Sequence, residues 1–137
     1  MKRLIFPLLA ILILSCNNPA GFSKPEDGLD AGREFIRAVL DGDYKKGELY
    51  VIPEEEDIRL YKRYTEYMRK RSGKELIELK QASIIINKVE EFGDTLQIIN
   101  YSNSYTKEPI DIKVVKKEGE WWVDFSYTFS GNLPVSE

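Results

Sequence analysis

Residues 82–129, ASIIINKVEEFGDTLQIINYSNSYTKEPIDIKVVKKEGEWWVDFSYTF, decide the fold. The run 82–92 is rich in β-branched side chains (Ile84, Ile85, Ile86, Val89), and Gly93-Asp94 turns it into 95–105, where Leu96 and Ile98 alternate with Gln97. Lys107-Glu108-Pro109 makes a second turn before Ile110, Ile112 and Val114, which alternate with Asp111 and Lys113, and Gly119 makes a third. Alternation with a period of two, punctuated by turn residues, predicts an antiparallel meander. The last run, 121–129, is expected to be one strand with Trp121, Val123, Phe125, Tyr127 and Phe129 on one face and Trp122, Asp124, Ser126 and Thr128 on the other. Two large aromatics on opposite faces predict a sheet partly covered on both sides, with Trp121 beneath the covering helices.

The preceding residues change period. Pro25-Glu26-Asp27 opens a helix, with proline favoured in a first turn and acids at the positive end of the dipole. Leu29, Gly32, Phe35, Ile36, Val39 and Leu40 then recur at steps of three and four, and Gly42 stops the helix. A short second helix is expected with Asp43 as N-cap, running through Tyr44, Gly47, Leu49 and Tyr50. A third spans 53–71: Glu54, Glu55, Glu56 and Asp57 fill its first turn and Arg69, Lys70 and Arg71 its last, matching the macrodipole. Its buried edge reads as Ile58, Tyr61, Tyr64 (or Thr65) and Met68. Ser72-Gly73 breaks it, with an extra turn possible over 74–79. The basic residues Arg59, Lys62, Arg63, Arg69, Lys70, Arg71 and Lys74 read as a solvated helix face and, secondarily, as a contact for anionic lipid heads.

The first sixteen residues, MKRLIFPLLAILILSC, have Lys2 and Arg3 ahead of an apolar run over 4–14, too short to span a bilayer. They read as a secretory signal. Ile13-Leu14-Ser15-Cys16 resembles the lipobox of bacterial lipoprotein precursors: an aliphatic residue, a tolerant position, a small residue, then cysteine. That resemblance implies removal of residues 1–15, a diacylglyceryl thioether on Cys16 and a lipid anchor in the bacterial cell envelope, outside the cytoplasm, in the inner or outer membrane. Residues 16–24 read as a tether reaching at most about 3.5 Å per residue, which keeps the domain within roughly 30 Å of the bilayer.

Composition narrows the function. A chain beginning at Cys16 would hold 122 of the 137 residues, enough for one domain over 25–130 with a loose tail over 131–137. Of 20 bases, Lys2 and Arg3 would leave with the signal, giving 18 against 23 acids and a charge of −5. Such a domain is a poor partner for nucleic acid. Its one cysteine would carry lipid, so no internal disulfide is expected. The absence of histidine removes Ser-His-Asp and Cys-His machinery and histidine-based zinc sites. The run Glu54-Glu55-Glu56-Asp57 lacks the ligand spacing and central glycine of a calcium loop, so neither metal nor cofactor is expected. Asn100-Tyr101-Ser102 and Asp94-Thr95-Leu96 match short glycosylation patterns too weakly to use.

Helices followed by a meander predict an α+β domain with the N-terminal helices packed on a curved antiparallel sheet of about four strands. Leu40-Asp41-Gly42-Asp43-Tyr44 and the closing Gly119-Glu120-Trp121-Trp122-Val123-Asp124 resemble small bacterial lipoproteins of the nuclear transport factor 2-like, cystatin-like cone fold. Gly47 departs from that pattern, which usually carries alanine there. The resemblance implies a noncatalytic envelope lipoprotein that binds a small ligand or a partner protein. The alternative is an enzyme of isomerase or dehydratase type, using an aspartate base and a tyrosine oxyanion hole as ketosteroid-isomerase-like relatives of the fold do. Tyr44, Tyr61, Tyr64 and Asp124 are the pocket candidates. Tyr50, Tyr61, Tyr64 and Tyr67 read first as half-buried packing residues with wet hydroxyls and second as the polar wall of a pocket.

Overall fold

Asp27 starts the first helix, and Pro25 lies outside it. In the computed structural model, which describes residues 22–129, the Asp27 carboxylate accepts from the Asp30 N–H at 2.8 Å and caps α1 (Gly28–Leu40). The signal stretch, Cys16 and the tail over 131–137 lie outside the described residues, as does the side chain of Phe129. Asp43 caps the expected short helix, α2 (Tyr44–Glu48). The acidic start and basic end then frame α3 (Glu55–Arg69). The extra turn is a helix in its own right, α4 (Gly73–Gln81), because Ser72 and Glu75 form a reciprocal capping box.

Four strands follow in antiparallel order: β1 (Ile84–Glu91), β2 (Leu96–Asn103), β3 (Ile110–Lys117) and β4 (Glu120–Asp124). Register brings Ile86, Tyr101 and Ile110 abreast on the helix side, then Val89, Ile99 and Ile112, then Gln97, Val114 and Val123. A bulge at Asn87 keeps Ile86 and Val89 on that side despite their odd spacing. Val51 joins the far edge through a parallel bridge to Val123.

Helix α1 lies on this face. Gly32 permits the approach, since a Cβ there would stand 2.6 Å from Ile99 Cδ1. Ile36, Ile99, Ile112, Val114, Val123 and Phe125 are almost completely removed from solvent, each worth about 1.5–3 kcal/mol of burial. Phe35, Tyr61, Tyr64 and Phe125 close the core as an aromatic cluster, with Tyr61 edge-on to Phe125 at 5.4 Å. On α3 the fully buried positions are Asp57, Leu60, Tyr61, Thr65 and Met68, while Ile58 and Tyr64 flank them half-buried. Both alternatives at the third place of that edge, Tyr64 and Thr65, therefore contact the interior.

The expected strand over 121–129 is overturned. It ends at Asp124, and residues Phe125–Phe129 form a short helix, α5. The Asp124 carboxylate accepts from the Tyr127 N–H at 3.0 Å and the Ser126 hydroxyl at 2.8 Å, and the buried Asp57 carboxylate accepts from the Ser126 N–H at 2.9 Å. Two carboxylates thus take the donors that a continuing strand would offer to a neighbour. The alternation fails accordingly: Phe125 and Thr128 are buried and Tyr127 is exposed. Trp121 is only partly buried, against the start of α1, and Trp122 is half-exposed on the opposite face.

Phe22 to Lys24, read above as the end of a tether, are folded against the domain. Phe22 packs on Tyr50 at 5.3 Å, the Tyr50 hydroxyl donates to the Ser23 carbonyl at 3.1 Å, and Lys24 pairs with Glu120 at 2.9 Å. Phe22 to Lys24 belong to the folded domain.

Candidate functional site

Two concave features lie where the end of α1, the start of α2, the end of α3 and α4 meet. A groove of about 540 Å³ has Val39, Leu40, Tyr44, Leu76, Ile77 and Leu79 as its apolar wall and a charged border of mixed sign, Lys45, Arg69 and Lys80 with Asp41 and Asp43. Small-molecule sites usually fall in the range of about 300–1,000 Å³. Ile77 remains 59% exposed. A smaller cavity of about 60 Å³ lies behind Val39, Leu40 and Leu79, the side chains that border both spaces, and is lined by Tyr64, Tyr67, Arg71, Tyr101 and Asn103 among others. A larger hollow of about 720 Å³, beside Glu54, Lys117, Glu118 and Glu120, is dominated by charged groups and crossed by the Lys117–Glu54 ion pair.

Local sequence explains how α3 supplies this wall. Tyr64, Tyr67, Met68 and Arg71 follow the spacing i, i+3, i+4, i+7, which places them on one helix face, and the Arg71 N–H still bonds to the Met68 carbonyl beyond the formal helix end. Arg69 lies over the Tyr44 ring at 5.0 Å and Arg71 over the Tyr67 ring at 5.5 Å. Arg71 Nε is buried and has no hydrogen-bond partner among the described residues, a deficit of about 1–3 kcal/mol for such a group.

The four sequence candidates separate. Tyr44 lines the groove and Tyr64 the inner cavity. Tyr61 lies between them in the core, donating its hydroxyl to the Tyr44 carbonyl at 2.8 Å. Asp124 belongs to neither space: it caps α5 and pairs with Lys113 at 2.9 Å. Arg71 and α4 were missed as parts of the site. The heptad-like spacing ending at Arg71 and the Ser-x-x-Glu box at 72–75 were the signals that could have found them.

Burial governs the electrostatics of the tyrosines here. Burial raises the Tyr44 phenol above its ordinary value, with Arg69 and Arg71 pulling part of the way back. Burial raises Tyr64 much further, helped by Tyr101 and Tyr44, and it alone raises Tyr101. These phenols stay protonated at any ordinary pH and serve as neutral donors and acceptors. For Asp124, burial works to raise the carboxyl, but the Lys113 ammonium, the Tyr127 N–H and the Ser126 hydroxyl outweigh it and leave the group below the usual carboxylate range. A base poised near neutrality needs the opposite shift. Among the described residues no cluster of acids could hold a metal ion, and no helix is long and apolar enough to cross a membrane.

No family model, curated protein or solved structure significantly matches the chain. The family resemblances rest on the residues quoted for them.

Proposed function

We propose that the chain is the precursor of a bacterial envelope lipoprotein, held at a membrane by acyl chains on Cys16, whose nuclear transport factor 2-like domain binds a small ligand without transforming it. The observation that carries the binding reading is the groove between α1, α2 and α4, an apolar floor of ligand-sized volume bordered by Arg69, Lys45 and Lys80 and by Asp41 and Asp43. The lipobox-like Ile13-Leu14-Ser15-Cys16 supports the anchor. Neutral tyrosines beside arginines orient a ligand, whereas isomerase or dehydratase chemistry asks for a carboxylate base facing it. Asp124, the aspartate considered for that role, is engaged by Lys113 and the cap of α5.

Titration with a neutral solvatochromic dye tests the groove. The dye should bind the wild type and lose most of its affinity in Ile77→Asp, with the urea midpoint unchanged because Ile77 is already exposed. Equal binding to both proteins, or none to either, would remove the groove as the site.

A further inference from the structure

The two short glycosylation patterns, Asn100-Tyr101-Ser102 and Asp94-Thr95-Leu96, lie on one hairpin. As sequence neither decides anything; the fold separates them. An acceptor side chain has to be reached by a transferase, which favours surface loops over paired strands. Asn100 lies inside β2, with Lys88 of β1 opposite it on one side and Asp111 of β3 on the other. Its amide donates to the Asp111 carboxylate at 2.6 Å and accepts from the Asn87 amide at 3.0 Å, and Ser102 is buried. The sheet closes the first pattern.

The second pattern begins at the tip of the β1–β2 hairpin, where residues 91–95 are all exposed. Backbone groups alone close this turn: the Phe92 N–H donates to the Leu96 carbonyl at 2.8 Å, the Lys116 N–H donates to the Thr95 carbonyl at 2.7 Å, and Gly93 takes the left-handed φ of +65°. Polar side chains in turns commonly bond to nearby backbone, as Asn103 does in accepting from the Tyr105 and Thr106 N–H groups. Asp94 and Thr95 do not: neither side chain has a hydrogen bond or ion pair among the described residues. The other described threonines are engaged. Thr65 and Thr128 are buried and donate to carbonyls, and the Thr106 hydroxyl accepts from the Asn103 amide. The turn thus stands without the Thr95 hydroxyl, which is offered to solvent between a free carboxylate and the half-buried Leu96.

We infer, resting on the envelope reading above, that Thr95 Oγ1 is the acceptor of an O-linked glycan on the exported chain, placed by a glycosyltransferase that reads Asp94 and Leu96 beside it. The hydroxyl attacks the anomeric carbon of a glycosyl diphosphate donor. The new C–O bond replaces the bond from that carbon to the phosphate oxygen, the diphosphate leaves with its electron pair, and the hydroxyl proton passes to a base of the transferase.

The test is mass spectrometry of the protein purified from membranes of the bacterium that makes it. Cleavage after Lys88 and Lys107 puts both patterns in the tryptic peptide 89–107. That peptide should exceed its sequence mass by whole sugar residues, localised to Thr95 by electron-transfer fragmentation and released by alkaline β-elimination. Thr95→Val should abolish the added mass, Thr95→Ser should keep part of it, and Asp94→Asn should lose most of it. Made in a host without the transferase, wild type and Thr95→Val should share one urea midpoint, because the hydroxyl has no partner to lose; a lower midpoint for the variant would overturn the claim that the turn leaves it free. An unmodified peptide from a chain acylated at Cys16 would overturn the inference and leave the anchor standing. Sugar on Asn100 or Ser102 instead, mass retained in Thr95→Val, or mass undiminished in Asp94→Asn would each overturn it as well. Sugar on Thr95 of a chain neither cleaved nor acylated would keep the acceptor and remove the envelope reading.

Discussion

Replacing Gly47 by alanine should destabilise the domain even though alanine is the better helix former. The propensity gain is about 0.8–1 kcal/mol. Against it, the new Cβ would stand 2.3 Å from the Tyr61 hydroxyl oxygen and 3.3 Å from Cζ, in a side chain that is 1% exposed and has no free space to retreat into. Moving the ring breaks the 2.8 Å bond to the Tyr44 carbonyl and leaves buried polar groups unpaired, which costs about 1–3 kcal/mol, and overpacking adds about 1–3 kcal/mol. The expected net loss is about 2–3 kcal/mol. Urea melts of a double-mutant cycle with Tyr61→Phe isolate the cause, because removing the hydroxyl removes the 2.3 Å contact and leaves only the tight approach to the ring. In the Tyr61→Phe background Gly47→Ala should cost less than about 1 kcal/mol, a coupling of at least about 1 kcal/mol. Additive losses, or a stabilising Gly47→Ala in the wild-type background, would refute the reasoning.

Trp121→Ala should cost about 2–3 kcal/mol, below the cost of emptying a fully buried tryptophan site, because the ring is only partly covered against the start of α1. A change below about 1 kcal/mol in a denaturant melt would show that this contact contributes no packing. Asp124→Asn should lower stability at pH 7. The folded carboxyl lies below the ordinary value of 3.8, so its stabilisation is complete above that value and is lost as pH falls through the folded one. The gap between wild type and variant should therefore be constant from pH 6 to 8, where no histidine titrates, and close below the carboxylate range. A gap that persisted into strong acid would assign the loss to the cap geometry alone.

Much of the architecture was legible because hydrophobic period and turn chemistry agree. Acids then bases along α3, Asp43 ahead of α2, and glycine or proline between the strands all acted locally, so they could be read locally. The last strand was misread because its alternation continues past the point where the backbone turns: the decisive contact is Asp57 with the Ser126 N–H, made across 69 residues of chain. Gly47 likewise looked like a flaw in a helix, and only the Tyr61 hydroxyl packed against it explains the absence of a side chain. Of the four candidate residues, Tyr44 and Tyr64 line the concave spaces, which follows from tyrosines on an amphipathic face. Asp124 does not, because residue type alone says nothing of which charge it meets. Arg71 was hidden among seven bases read as a solvated face, and the cavity it lines is completed by residues distant in sequence, Leu79 of α4, Tyr101 and Asn103 of β2 and Ile110 of β3.

Intact-mass spectrometry of the protein extracted from bacterial membranes tests the proposed anchor most directly. An anchored lipoprotein should show a chain that begins at Cys16 and carries acyl mass on that residue, with Cys16→Ser yielding neither the cleavage nor the modification. A wild-type chain that is unacylated and cut at another position would contradict it.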